Sequence, residues 1–364
     1  MKTVKTTPVI LFVLFFFLSS SGARAQQSDW GRTLVAARTA SQSGDYSTAA
    51  TLYKQALASQ ERALGPNHAE VAATLNNLAV LYQNQSMYAQ AEPLYRRSLS
   101  IWEKTSGKET QVATSLNNLA ALYHDQGKDA EAVALYNRAL GIWQKTGRTE
   151  DPQAAATLSS LGNIYNSQRD YVDAEQAYTR AVAIWQKSGH TENTDAASTY
   201  ASLASIYYSE GNYNDAAPLY NRALAIRANG GHLEDVEAIP ALNNLAQIYR
   251  SQGQYTEAEP LLAGALAIRE KMLGPEHLDV AASVSNLAIL YNCEGKYDQA
   301  EPLYKRALEI REKALGSDHP DVVQSMEIYA ALLRQEGRKA EARKLELRAG
   351  KIQSNIAQKM SSGT

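Results

Sequence analysis

Leu75-Asn76-Asn77-Leu78-Ala79-Val80-Leu81-Tyr82 returns 41 residues later as Leu116-Asn117-Asn118-Leu119-Ala120-Ala121-Leu122-Tyr123. In both copies large apolar residues stand at i and i+3, a small one at i+4 and an aromatic at i+7. That is the period of a helix with one buried stripe, not of a strand. The stripe recurs as Leu158, Leu161, Gly162, Tyr165 and as Leu242, Leu245, Ala246, Tyr249.

After each stripe comes a short tripeptide: Gly44-Asp45-Tyr46, Ser86-Met87-Tyr88, and their counterparts at 127–129, 169–171, 211–213, 253–255, 295–297 and 337–339. Successive third residues are 42, 41 and then five times 42 apart, so the chain is an array of eight repeats. A second helical stripe comes after each tripeptide, as in Ala91, Tyr95, Ser98, then Ala132, Tyr136, Ala139, then Ala300, Tyr304, Ala307. Each repeat therefore reads as two antiparallel helices joined by a turn. Pro93, Pro218, Pro260 and Pro302 fall early in the second helix, where few backbone donors have a partner to lose.

These spacings resemble the tetratricopeptide repeat: large, large, small, aromatic on the first helix, then small, aromatic, small on the second. The period, Ala-Glu-Pro-Leu-Tyr at 91–95 and 300–304, and the linkers Leu64-Gly65-Pro66-Asn67-His68, Leu273-Gly274-Pro275-Glu276-His277 and Leu315-Gly316-Ser317-Asp318-His319 are similar to the kinesin-light-chain subclass. The resemblance implies an all-α fold, a right-handed superhelical solenoid of about eight helix-turn-helix repeats whose first helices line a concave face. It covers about residues 30–350, and the solenoid is expected over 26–350, with 351–364 as a helical extension and tail. The end repeats depart from the pattern, with Thr33, Ala36, Ala37 and Ala40 as a thin first stripe and Lys339 and Glu346 at aromatic places, as caps facing water should.

Two linker chemistries stand out. Repeats one, six and seven end in Leu64, Leu273 and Leu315, whereas repeats two, three and four carry Trp102, Trp143 and Trp185 four residues before that place. The indole is expected to cover the surface between repeats that Leu covers elsewhere. Repeat five has Arg227 and Gly231, neither device, and is expected to be the loosest joint. Asn67 with Glu70 and Asp318 with Asp321 read as helix-capping pairs.

Residues 1–25 read as an export signal. Lys2 and Lys5 precede an apolar run from Val9 to Leu18, and Ala23-Arg24-Ala25 is a small-x-small cleavage pattern. The run is about half of the roughly 20 residues a spanning helix needs, which favours removal over a retained anchor. The mature chain would begin at Gln26 and be periplasmic or secreted, without stable membrane insertion. Removal leaves 33 basic against 38 acidic residues and no basic block, which argues against nucleic acid as a partner. Cys293 is the only cysteine, so no internal disulfide forms.

No phosphate loop, GxSxG elbow or HExxH helix occurs, and no cofactor is expected. His68, His277 and His319 occupy one linker place in three repeats, and His190 and His232 another. Stacking holds such equivalents apart, so they read as helix-start contacts and not as metal ligands. The chain is expected to be a protein-binding module and not an enzyme.

The amides carry the site expectation. Asn76, Asn77, Asn117, Asn118, Asn243, Asn244 and Asn286 stand beside the buried Leu on first helices, and Asn163, Gln247 and Asn292 extend the row. Side-chain amides both donate and accept, which suits the backbone of an extended peptide; the same amides can instead bond the next repeat and set its twist. His124 and Arg250 lie near the ends of first helices, on the side the resemblance makes concave. The family's carboxylate-binding version needs Lys and Arg beside Asn in neighbouring repeats, and Arg250 and Arg334 stand isolated here. A wall-binding or glycan-binding module is the other reading. It would use exposed aromatics beside the amides, for which Tyr208 is the candidate.

Overall fold

In the computed structural model, residues 23–189 and 193–362 are described, and the apolar segment of the export signal and His190 lie outside them. The described residues form sixteen α-helices and no strand. They fall into two compact units of four helical pairs. The first holds α1 (Ala23–Gln42) with α2 (Tyr46–Leu64), α3 (Ala69–Asn84) with α4 (Tyr88–Lys104), α5 (Glu109–Asp125) with α6 (Asp129–Lys145), and α7 (Pro152–Ser167) with α8 (Tyr171–Ser188). The second holds α9 (Thr194–Ser209) with α10 (Tyr213–Asn229), α11 (Ile239–Ser251) with α12 (Tyr255–Leu273), α13 (Leu278–Glu294) with α14 (Tyr297–Leu315), and α15 (Pro320–Gln335) with α16 (Lys339–Ser362).

The stripes make the core. Leu75, Leu116, Leu158, Leu242 and Leu245 are buried, as are Tyr95, Tyr136, Tyr178, Tyr220 and Tyr304 on second helices. Small residues let those rings approach. At Gly162 the Tyr178 ring comes within 2.7 Å of where a Cβ would stand, so the Ala of other repeats would clash there. The turn inside each pair needs a positive φ, which Ser86 (58°) and Arg169 (63°) adopt at the cost of side-chain crowding. The glutamate of Ala-Glu-Pro-Leu ties one repeat to the next. Tyr123 donates to Glu92 at 3.0 Å, Tyr291 to Glu259 at 2.8 Å and Tyr329 to Glu301 at 2.6 Å. Arg338, Lys305 and Tyr329 around Glu301 pull its carboxyl down to about 2.

The joints correct one expectation. Trp102, Trp143 and Trp185 are buried as foreseen, and Trp102 packs with Val71, Leu75 and Val112 of its own and the following first helix. Leu64 and Leu315 are only half-buried, and Leu273, being 42% exposed, does not take that role. The residue at the indole's own place does. Gln60 accepts from Thr74 at 2.7 Å, Arg269 donates to Ser283 at 2.6 Å and Arg311 to Ser325 at 2.5 Å, each reaching the next repeat's first helix. The reason is axial: Leu, four residues on and on nearly the same face, is the last residue of its helix, at the edge of the surface where helices meet.

The caps correct another. The helix-capping side chains are His68, His277 and His319, not Asn67 or Asp318. Each imidazole Nδ1 accepts a backbone N–H two residues on, from Glu70 at 3.2 Å, Asp279 at 3.1 Å and Asp321 at 3.1 Å. The linker glycine (Gly65, Gly274, Gly316) holds φ at 84–86° in all three, which starts each helix one residue later than a capping box on Asn67 or Asp318 would. Trp30 is a contact that the sequence pattern does not mark; it is buried in α1 and its Nε1 donates to Glu70 at 3.2 Å.

Candidate ligand-binding face

Six of the expected site residues lie in the first unit and six in the second. In α3 the buried Leu75 and Leu78 fix the helix rotation, which leaves Asn76 and Asn77 half-buried on its flank. The same geometry places Asn117 and Asn118 on α5. Stacking then links them: Asn118 Nδ2 donates to Asn76 Oδ1 at 2.8 Å, 42 residues away, and Asn117 Nδ2 donates to Thr157 Oγ1 on α7 at 2.6 Å. Asn163 is exposed and accepts from the buried Tyr178 hydroxyl at 2.7 Å. His124 pairs with Asp129 at the start of α6, Nδ1 to Oδ1 2.7 Å.

One member of this row was missed in the sequence. Gln83 donates to Asp125 at 2.8 Å across one repeat and accepts from Tyr95 at 2.8 Å. Burial pushes the Tyr95 hydroxyl well above its ordinary range, so it stays a donor. Gln83 holds the register of His124 and Arg250, and that shared place was the signal that could have found it.

In the second unit the row is looser. Asn244 Nδ2 donates to the buried Tyr220 hydroxyl at 2.8 Å. Arg250 donates to Gln247 at 2.5 Å and to the exposed Cys293 Sγ at 3.8 Å. Arg334, by contrast, holds Glu346 through two bonds of 2.6 and 2.7 Å. Tyr208 stacks obliquely on Tyr213 with ring centres 5.5 Å apart, a pairing the sequence did not show. Burial, then Cys293, pushes the Tyr304 hydroxyl up to about 12.

The structure thus joins 76 with 118 and 247 with 250, and spends other amides inside the fold. Asn77 and Asn286 make no side-chain hydrogen bond among the described residues, and each is half-buried at the equivalent place of its own first helix. The Oδ1 atoms of Asn117, Asn243 and Asn292 are buried without a partner. Among the described residues no group of three His, Cys, Asp or Glu side chains could hold a metal ion. What the first helices of each unit offer is a set of amide donors and acceptors, some held by a neighbouring side chain and some uncommitted.

The tetratricopeptide-repeat profile matches residues 32–104, 70–145, 111–187, 153–229, 237–313 and 279–353. No curated protein sequence matches the chain. Among solved structures it is similar to BtubC (BKLC) from P. vanneervenii, at 24% identity and a TM-score of 0.50 over 70% of this chain and 94% of that one. A kinesin light chain-like repeat protein from Podosopora anserina matches at 27% identity and a TM-score of 0.50, over 57% of this chain and 98% of that one. The signal-transduction ATPase with a tetratricopeptide-repeat sensor from Pyrococcus horikoshii gives a TM-score of 0.59 at 14% identity, over 94% of this chain and 48% of that one.

Proposed function

The chain belongs to the tetratricopeptide-repeat family, and we propose that it is an exported scaffold holding an extended peptide or protein segment along its first helices. The observation that carries this reading is the amide row. Asn76 and Asn118 orient each other across a full repeat, and Asn77 and Asn286 keep their hydrogen-bonding capacity at equivalent places of their own first helices. An extended backbone alternates donors and acceptors, which the uncommitted amides of Asn77 and Asn286 can match. Export rests on the pattern of residues 1–25, and no helix among the described residues is long and apolar enough to cross a membrane.

The test uses the chain from Gln26 onward as bait in extracts of the exporting cell, and then the captured partner as ligand. In an Asn77→Ala, Asn286→Ala double variant, each lost hydrogen bond weakens binding about fivefold, with melting unchanged. If affinity per folded molecule holds, the amides serve packing alone and the binding surface lies elsewhere.

A second reading, a glycan-binding module, draws on one observation: the Tyr208–Tyr213 pair, within electrostatic reach of Arg250 in the second unit. Retention on insoluble wall polysaccharide that is lost in Tyr208→Ala, with no polypeptide captured, would favour it.

A further inference from the structure

We propose that the segment held along α3, α5 and α7 turns only uncharged residues toward them, so that its capture by the first unit is insensitive to salt. This rests on the peptide-holding reading above and names the chemistry of what is held. Charge is segregated between the two helices in the second, third and fourth pairs of this unit. α4, α6 and α8 carry five, four and four Asp, Glu, Lys or Arg side chains. On α3 there is only Glu70, on α5 only Glu109 and Asp125, and on α7 none. The exceptions stand at helix ends, and two are already held: Glu70 accepts from Trp30 at 3.2 Å and Asp125 from Gln83 at 2.8 Å. His124, at the same end of α5, pairs with Asp129 at 2.7 Å.

The three helices form one continuous face. Asn118 reaches Asn76, Asn117 reaches Thr157, and Thr114 donates to Gln153 at 2.7 Å, each from α5 to a neighbouring first helix. Asn77, Asn118 and Ser160 hold equivalent places and are half-buried. One turn on, Ala121 is half-buried and Asn163 exposed. These side chains are short, so a ligand must lie against the helices to bond them. Whatever it turns inward loses its water there.

Neutral polar groups tolerate that loss, because the amides and hydroxyls of the face both donate and accept. A carboxylate, ammonium or guanidinium does not, since no opposite charge meets it and its desolvation is uncompensated. With no ion pair formed, there is nothing for salt to screen. An extended segment points alternate side chains to opposite sides. The restriction therefore falls on every second residue, which Ser, Thr, Asn, Gln and Gly satisfy, and leaves those between free. A sugar chain is also uncharged, but it would be met by exposed aromatic rings. On this face Tyr82 and Tyr123 are buried and Tyr165 is half-buried, which favours polypeptide. The second unit lacks this uniformity, since Arg250 lies on α11.

The experiment selects binders of the chain from Gln26 onward out of a display library of random peptides. About twelve residues suffice, since an extended segment of that length passes three packed helices. Each selected peptide is then mapped by the amide hydrogen exchange it slows. Peptides that protect α3 and α5 should be depleted of Asp, Glu, Lys and Arg at alternate positions. A Lys or Glu placed at one of those positions should weaken binding about tenfold, while the residues between accept either. Their Kd should move less than about twofold between about 0.05 and 0.5 M salt. Asn163→Asp adds a carboxylate to the face and keeps an acceptor for the Tyr178 hydroxyl, so that variant should fold and select Lys and Arg. Charged peptides enriched on α3 and α5 of the parent, or a Kd that rises with salt about tenfold, would overturn the proposal and leave peptide capture standing. If no selected peptide protects α3 or α5, the peptide-holding reading falls and the proposal with it. Protection of those helices by a neutral polysaccharide would then make a sugar chain the ligand.

Discussion

The joints of the first unit and those of the second solve one packing problem with different chemistry. In the first, Trp102 and Trp143 fill the space between repeats with an indole, and Trp143 is buried although its Nε1 has no partner. Arg148 lies over that ring, 5.8 Å from its centre. In the second, the same place holds Arg227, Arg269 and Arg311, and at the last two the surface closes through a guanidinium on a buried hydroxyl. An indole gains from burial itself, so it tolerates an indifferent neighbour. A guanidinium must be met by an acceptor or its desolvation is uncompensated. Arg227 lacks that acceptor, because the place of Ser283 and Ser325 is filled by Ala241. It turns back instead to Ser198 in its own repeat, at 3.3 Å. Burial holds its guanidinium below the usual arginine range, opposed by Glu237 and Asp235. The helix it faces begins with a 3₁₀ turn at Val236–Ala238, and α11 is only 13 residues long.

The largest effect expected from this contrast is in the first unit. Trp143→Ala removes a buried indole, which typically costs about 3–5 kcal/mol. Chemical denaturation would show it, with exchange rising first at the α6–α7 joint. An unchanged midpoint would mean that the indole contributes nothing to the stack. In the second unit Ala241→Ser supplies the missing hydroxyl. It should stabilise by about 1 kcal/mol and slow exchange at the start of α11. No gain would break the reading that the hydroxyl closes these joints. Arg169→Gly has the smallest effect, relieving a positive φ inside the first unit for about 0.5–1 kcal/mol in thermal melts. The equivalent turns of the second unit already carry Gly and offer no such gain.

The period made the eight pairs legible, because the stripes and turns each repeat in the sequence. The indole's burial was legible too, since a Trp three times in register has few other uses. What opposes it was not. The hydroxyl that meets Gln60, Arg269 and Arg311 lies 14 residues ahead, in another helix, and only stacking brings the two together. The caps were misread by one residue because the choice between Asn67 and His68 depends on the glycine geometry before them. Asn76 and Asn118 of the amide row lie on α3 and α5. Its bonds could not be read, because they join residues 40 and 42 apart through the stack.

The scaffold reading rests on a partner lying along first helices, and a hydrogen-exchange footprint of the complex tests it most directly. With the captured partner bound, the account predicts added protection around Asn76–Asn77 and Asn117–Asn118 on α3 and α5. The second helices α4 and α6 should be unchanged. Protection confined to the second helices or the linkers, with α3 and α5 unaltered, would contradict it.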